Sequence, residues 1–261
     1  MTAKVLKSNA GIDVARVELR RRRLSCISAR PLRLMRRRGW LRGVNVGDHV
    51  KSWDVLSTAR FIQENVPLDA PILDMGAYAS EILCVLHRLN YSALTGVDLN
   101  TGLNQMPYAD SIRYEISDFM ETPFPDESFA AITSISVIEH GFQAQKLLRE
   151  VSRLLRPGGY FVASFDYWPD KIDTTGIKIF GMDWKIFSRA EVLDMISEAQ
   201  TYDLTPPGEL SLDAHEQTIE TLAKGYTFAW LVLQKRQNAD RGLPPVENKV
   251  LAPVHPVPAR Q

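Results

Sequence analysis

The feature that most constrains this chain is a regular alternation between residues 72 and 165. Short, nearly continuous apolar runs (72–75, 93–97, 112–116, 130–138, 160–165) are separated by helical spacing at 81–89 and 142–155. Nearly continuous apolar runs suit strands covered on both faces, and strands alternating with helices suit parallel βαβ units. The expectation is an α/β fold: a doubly wound, Rossmann-like, mostly parallel sheet of seven strands with helices on both faces. Arg156-Pro157-Gly158-Gly159 ends the second helix, Ser188 caps a further one over 189–199, and 226–234 reads as a last aromatic and β-branched strand. The apolar fraction of 45% rules out wholesale disorder, and no run of about 18 apolar residues marks a membrane span. Two cysteines, Cys26 and Cys84, are too few for a disulfide framework, and a reducing cytoplasmic setting is the default.

The zero net charge conceals an asymmetry. Residues 1–51 hold fourteen Lys/Arg against three acids, so the remainder is correspondingly acidic. The reading divides the chain into a basic, flexible arm (1–47), a folded domain (48–237) and a Pro-rich disordered tail (238–261). Within the domain, 48–66 is a cap helix and 166–187 a lid insertion. The arm suits attraction to an anionic surface.

In an open α/β sheet ligands bind beyond the carboxyl ends of the strands. The first strand is followed by Asp74-Met75-Gly76-Ala77-Tyr78-Ala79-Ser80-Glu81, the second by Asp98, the third by Asp118-Phe119 and the fourth by Glu139-His140. In register, they describe a nucleoside pocket. A dinucleotide needs glycine where Tyr78 stands, and Glu81 would repel its pyrophosphate. An adenosyl sulfonium carries no phosphate and has an amino group that a carboxylate can bind.

On the segments Ile72-Leu73-Asp74-Met75-Gly76, Leu94-Thr95-Gly96-Val97-Asp98, Phe124-Pro125-Asp126-Glu127-Ser128-Phe129, Ser136-Val137-Ile138-Glu139-His140 and Glu150-Val151-Ser152-Arg153-Leu154-Leu155-Arg156-Pro157-Gly158-Gly159, the sequence resembles the class I S-adenosylmethionine-dependent methyltransferases that act on small molecules. Tyr78 and Ser80 depart from the family's second and third glycines. The resemblance implies S-adenosylmethionine as cofactor. It places Asp74, Gly76 and Ala77 at the methionine end, Asp98 on the ribose and Leu99 under the adenine. Asp118 and Phe119 would flank the adenine, and Ser134 and Ile135 would face the sulfonium.

Methyl transfer from a sulfonium asks the protein to orient the acceptor and take its proton. His140 is the expected base, with Glu139 orienting it, and a hydroxyl oxygen the expected acceptor atom. One acid and one histidine are a thin ligand set for a hard cation, so no metal is assigned. Aromatics mixed with acids suit stacking on a sugar or flat ring, which makes Tyr167, Trp168, Trp53 and Trp184 candidate contacts to a small-molecule or glycan acceptor. Two other readings stand beside this one. A non-catalytic nucleoside-binding scaffold is favoured by Tyr78 and Ser80. An RNA-modifying enzyme is disfavoured by the acidic domain and by Ser134-Ile135-Ser136-Val137 where an N-P-P-Y-like segment would stand.

Overall fold

A computed structural model describes residues 2–141 and 143–237. The elements in chain order are β1 (Ala3–Val5), α1 (Asn9–Arg21), α2 (Arg30–Arg37), α3 (Ser52–Asn65), β2 (Ile72–Met75), α4 (Ile82–Arg88), β3 (Leu94–Asp98) and β4 (Arg113–Ile116). They continue with β5 (Phe129–Ile135), α5 (Ala144–Leu154), β6 (Leu155–Tyr167), β7 (Lys178–Ile179), β8 (Met182–Asp183), α6 (Arg189–Gln200), β9 (Leu204–Thr205), β10 (Ile219–Thr221) and β11 (Lys224–Lys235).

The main sheet runs β1-β11-β6-β5-β2-β3-β4, with β9 and β10 also paired to β11. Strands β4, β3, β2, β5 and β6 are parallel, and β11 turns antiparallel to β6. The doubly wound sheet is therefore present, with nine strands rather than seven. Alternate strand residues feed opposite layers. Leu73, Met75, Val97 and Ile132 pack with α5 and α6, while Ile72, Leu94 and Ala131 pack with α1, α3 and α4. Helix α6 starts on a capping box in which Ser188 and Glu191 satisfy each other's backbone N–H. At the β4 edge Arg113 and Glu115 pair with each other, charges of the kind that discourage strand addition.

The structure corrects the basic arm. Residues 3–5 pair with β11, from Ala3 opposite Leu231 to Val5 opposite Ala229. Helix α1 packs on α3 and buries Ile12, Ala15 and Leu19. It also buries Arg16, whose guanidinium makes a two-bonded ion pair with Glu81 at 2.8 and 3.0 Å and reaches Ser25 and Ser52. The apolar stripe of α1 escaped sequence reading because Arg16 sits on it, and its partner is 65 residues away. Only α2, in the middle of this region, has no buried residue. The Pro-rich tail (238–261) lies outside the described residues.

The fourth run ends as a strand at Ile135, three residues early, where Ser136 adopts φ +53 in the left-handed region. The segment 166–187 carries the β7–β8 hairpin. Gly141 N–H donates to Asp183 O at 2.9 Å and Lys185 N–H to Glu139 O at 2.8 Å. The segment is thereby strapped over the turn after β5.

Candidate active site

The carboxyl ends of β2 and β5 open into a cavity of about 550 Å³. Gly76 follows β2 at φ +78, and a Cβ there would collide with the Val137 side chain. Glycine is needed twice over, for conformation and for space. Gly76→Ala is expected to destabilise the fold by about 1–3 kcal/mol. Val137→Ala in the same chain should recover part of the loss by removing the clash while leaving the strained φ, as read by denaturant unfolding.

Asp74 is fully buried on β2 and accepts from Thr133 Oγ1 at 2.7 Å, while its Oδ2 faces no donor in hydrogen-bonding geometry. Burial lifts its carboxyl to about 7, with the Thr133 bond acting in the opposite sense. Ala77 is buried against Gly96 and takes no part in the cavity wall. Asp98, at the end of β3, accepts from Tyr78 N–H at 3.0 Å through one oxygen and from Asn100 N–H at 2.8 Å through the other. Each oxygen keeps a lone pair. Leu99 is 63% exposed, Asp118 accepts from Met120 N–H, and Phe119 packs against the core. Ser134 is buried on β5 with an unpartnered hydroxyl, and Ile135 lines the cavity. The methionine-side candidates Gly76 and Ile135 thus converge on the cavity, whereas Asp98, Leu99, Asp118 and Phe119 lie along the strand ends outside it.

The cavity floor is acidic. Glu139 and Asp166 line it, and Asp54 of α3 is buried in the same cluster. Lys51 Nζ lies 3.7 Å from Asp166 Oδ1 and sits over the Phe228 ring. Trp184 Nε1–H donates to Asp166 Oδ2 at 2.8 Å. Burial, then the Asp166 charge, holds the Glu139 carboxyl well above the usual range, with Lys51 opposing. Burial likewise raises Asp54 to about 7. His140 is pushed down to about 4 by burial and then by Lys51, and its Nδ1 is buried without a partner. At neutral pH the imidazole is uncharged, and the group that holds a proton readily is Glu139. This reverses the basicity expected of the pair from sequence.

A pH dependence follows. A carboxyl raised in the folded state contributes stability at low pH, and that contribution is lost as pH rises through the folded value. For Asp54 and Asp74 the loss falls around pH 7. Unfolding free energy should drop by about 1–2 kcal/mol between roughly pH 6.5 and 8.5, a window above the range in which His140 opposes it. Asp54→Asn should reduce the drop measured by urea titrations at the two pH values, with the other raised carboxyls supplying what is left.

The aromatic candidates do not line the cavity. Tyr167 is buried and donates its hydroxyl to Leu212 O at 2.6 Å, and Trp184 is buried through its bond to Asp166. Trp168 and Trp53 pack half-buried on the cluster that contains Leu6, Ile186 and Phe228. Their place is taken by Phe180 at the β7–β8 turn, whose ring meets His140 edge-on at 5.4 Å, and by Tyr226 and Thr221. Arg33 and Arg37 of α2 complete the rim. Phe180 lies in the stretch 166–187 that the sequence marked as a lid; Thr221, Tyr226 and Arg33 carried no such signal. Among the described residues no group of three or more His, Cys, Asp or Glu is placed to hold a metal ion.

Residues 73–163 match a family profile described as a methyltransferase domain. They span the strands from β2 to β6 that build the cavity's carboxyl-end wall. Residues 73–163 thus carry a methyltransferase domain. Over 142 residues it is 28% identical to a fatty-acid O-methyltransferase of Mycolicibacterium smegmatis, covering 52% of this chain and 48% of that protein. Over 146 residues it is 27% identical to a dimethylglycine N-methyltransferase of Parasynechococcus marenigrum, covering 54% and 48%. The chain therefore spans about half the length of these relatives. In fold, the methyltransferase domain and its flanks superpose on geranyl diphosphate C-methyltransferase from Streptomyces coelicolor A3(2), solved with Mg2+, a substrate analogue and S-adenosyl-L-homocysteine. The TM-score is 0.55 at 18% identity, covering 86% of this chain and 97% of that one. No helix among the described residues is long and apolar enough to cross a membrane.

Proposed function

We propose that this protein transfers a methyl group from S-adenosylmethionine to a small-molecule or glycan acceptor, with a hydroxyl oxygen as the acceptor atom. The observation that carries the reading is the cavity itself. It joins the Gly76 turn of the methyltransferase domain to a buried carboxylate, Glu139, of raised proton affinity. When bound, S-adenosylmethionine supplies an electrophilic methyl group. The residues present fit it: Asp74, two residues before the Gly76 turn, keeps a buried oxygen without a hydrogen-bond partner, and Asp98 keeps lone pairs for a ribose. Asp74 would meet the amino end, directly or through water, and Ile135 would face the sulfonium. Leu99, Asp118 and Phe119 would border the adenine.

Glu139 accepts the proton of the acceptor hydroxyl, and His140 and Phe180 hold the acceptor against it. Burial raises the proton affinity of Glu139 and lowers that of His140, which favours Glu139 as the proton acceptor. The chemistries of the relatives differ in acceptor atom, so the acceptor assignment rests on this cavity alone.

Calorimetry with S-adenosylhomocysteine and radiolabelled methyl transfer into extract fractions test the reading. Binding is expected, with Asp98→Ala weakening it at least about tenfold, the loss of a charge-assisted hydrogen-bonded pair. Absence of both heat and transfer would sink it. A scaffold that binds nucleoside without turnover is the second reading. It is favoured by the Asp98 carboxylate, which already braces its own loop through Tyr78 and Asn100, and heat without transfer would select it.

A further inference from the structure

Helix α2 is built inside out. Every residue of it is exposed except two, and those two are arginines, Arg33 and Arg36. Arg33 Nη1–H donates to Gly47 O at 3.2 Å, and Arg36 Nη1–H donates to Ser28 Oγ at 2.6 Å. The helix therefore hangs on the protein by its guanidinium groups, while Leu32, Leu34 and Met35 face solvent, 42–49% exposed. Trp40, at 70%, and Leu41 continue the apolar surface just beyond its end. A scattered surface leucine needs no explanation, whereas a contiguous apolar patch rimmed by charge does.

The rim is strongly basic. Arg30, Arg37, Arg38 and Arg42 are the exposed ones; with the inward Arg33 and Arg36 they make six in thirteen residues, and the sequence has no acid between Glu18 and Asp48. None of the six forms an ion pair with a carboxylate among the described residues. Arg38 lies over the Trp40 ring at 5.2 Å.

We infer that α2 and the turn through Arg42 are a docking surface for an anionic phospholipid bilayer. An amphipathic helix with Leu, Met and Trp outward and arginine alongside lies in the headgroup boundary, with its apolar side chains among the acyl ends and its cations among the phosphates. Trp40 is the patch's single aromatic, and the leucines and methionine that make up the rest do not stack on bases, so the patch suits a bilayer better than RNA, which rewards successive aromatic platforms. Arg33 and Arg37 also line the rim of the 550 Å³ cavity. Docking sets the cavity mouth at the lipid surface, within reach of acceptors anchored there.

Co-sedimentation of the full chain with phosphatidylcholine vesicles, alone or with about a third phosphatidylglycerol, tests this. Binding needs no methyl donor, so it succeeds or fails separately from the proposed methyl transfer. At least tenfold stronger partition into the anionic vesicles is expected, weakened by salt. The combined variant Leu34→Gln, Met35→Gln, Trp40→Ser should lose it with an unchanged melting temperature, since all three side chains are exposed. Trp40→Ser alone serves if the triple variant folds poorly. Arg30→Gln with Arg38→Gln and Arg42→Gln should lose it as well. No preference for anionic vesicles overturns the inference. So does partition indifferent to the apolar substitutions, or binding to a single-stranded RNA homopolymer that equals vesicle binding and ignores those substitutions.

Discussion

Replacing Glu139 by glutamine is expected to lower kcat by roughly 100- to 10,000-fold while leaving the affinity for S-adenosylhomocysteine within about twofold. The side chain is buried, lines the cavity, and sits at the turn that follows β5. Its amide replacement keeps shape and hydrogen-bonding capacity but cannot take a proton. The pH profile separates this from a role for His140. A carboxylate base held well above its ordinary range makes the rate rise with pH up to that raised value, because the base must first lose its own proton. A His140 base titrating at about 4 would give a rate flat from about pH 5.5 upward. Glu139→Gln should abolish the rise, and His140→Ala should leave it in place. Full turnover by Glu139→Gln would remove the carboxylate from the chemistry.

Breaking the Arg16–Glu81 pair is the change with the largest expected effect on folding. Both side chains are about 1% exposed, and the carboxylate also accepts the Cys26 N–H at 2.6 Å. Arg16→Met leaves that carboxylate buried without its cation, a loss of about 3–5 kcal/mol. Adding Glu81→Gln should recover a substantial part, because the uncompensated charge goes with it. Denaturant unfolding of the four proteins in a double-mutant cycle measures the coupling. A single-variant loss under about 1 kcal/mol would mean that water reaches the pair. The same bond ties α1 to the residue that starts α4 beside the Gly76 turn, so donor affinity should fall with it.

Much of the sheet was legible because its signals are local. Ile72–Met75, Leu94–Asp98 and the capped helix Arg189–Gln200 carry their own periodicity and their own terminators. The acids Asp74, Asp98, Asp118 and Glu139 were legible for the same reason, since each stands at or within a few residues of a strand's carboxyl end. The residues that finish the cavity were not. Tyr226 and Thr221 come from the last hairpin, Phe180 from the β7–β8 turn and Arg33 from α2. The tryptophans chosen for their chemistry went instead to packing, Trp184 by bonding Asp166. The N-terminal region misled reading most. Its arginines described an unattached arm, yet Arg16 is a core residue and Ala3–Val5 is a strand of the main sheet.

Sequence alone determined the doubly wound sheet and the strand-end turns, because those follow from backbone preference and near-neighbour periodicity. Tertiary structure alone decided which charges are buried and therefore which act. Asp54, Glu139 and Asp166 become a shared acidic floor only when α3, the turn after β5 and the end of β6 meet. A carboxyl's proton affinity is set by the water and the charges around it, and those neighbours are supplied by distant parts of the chain.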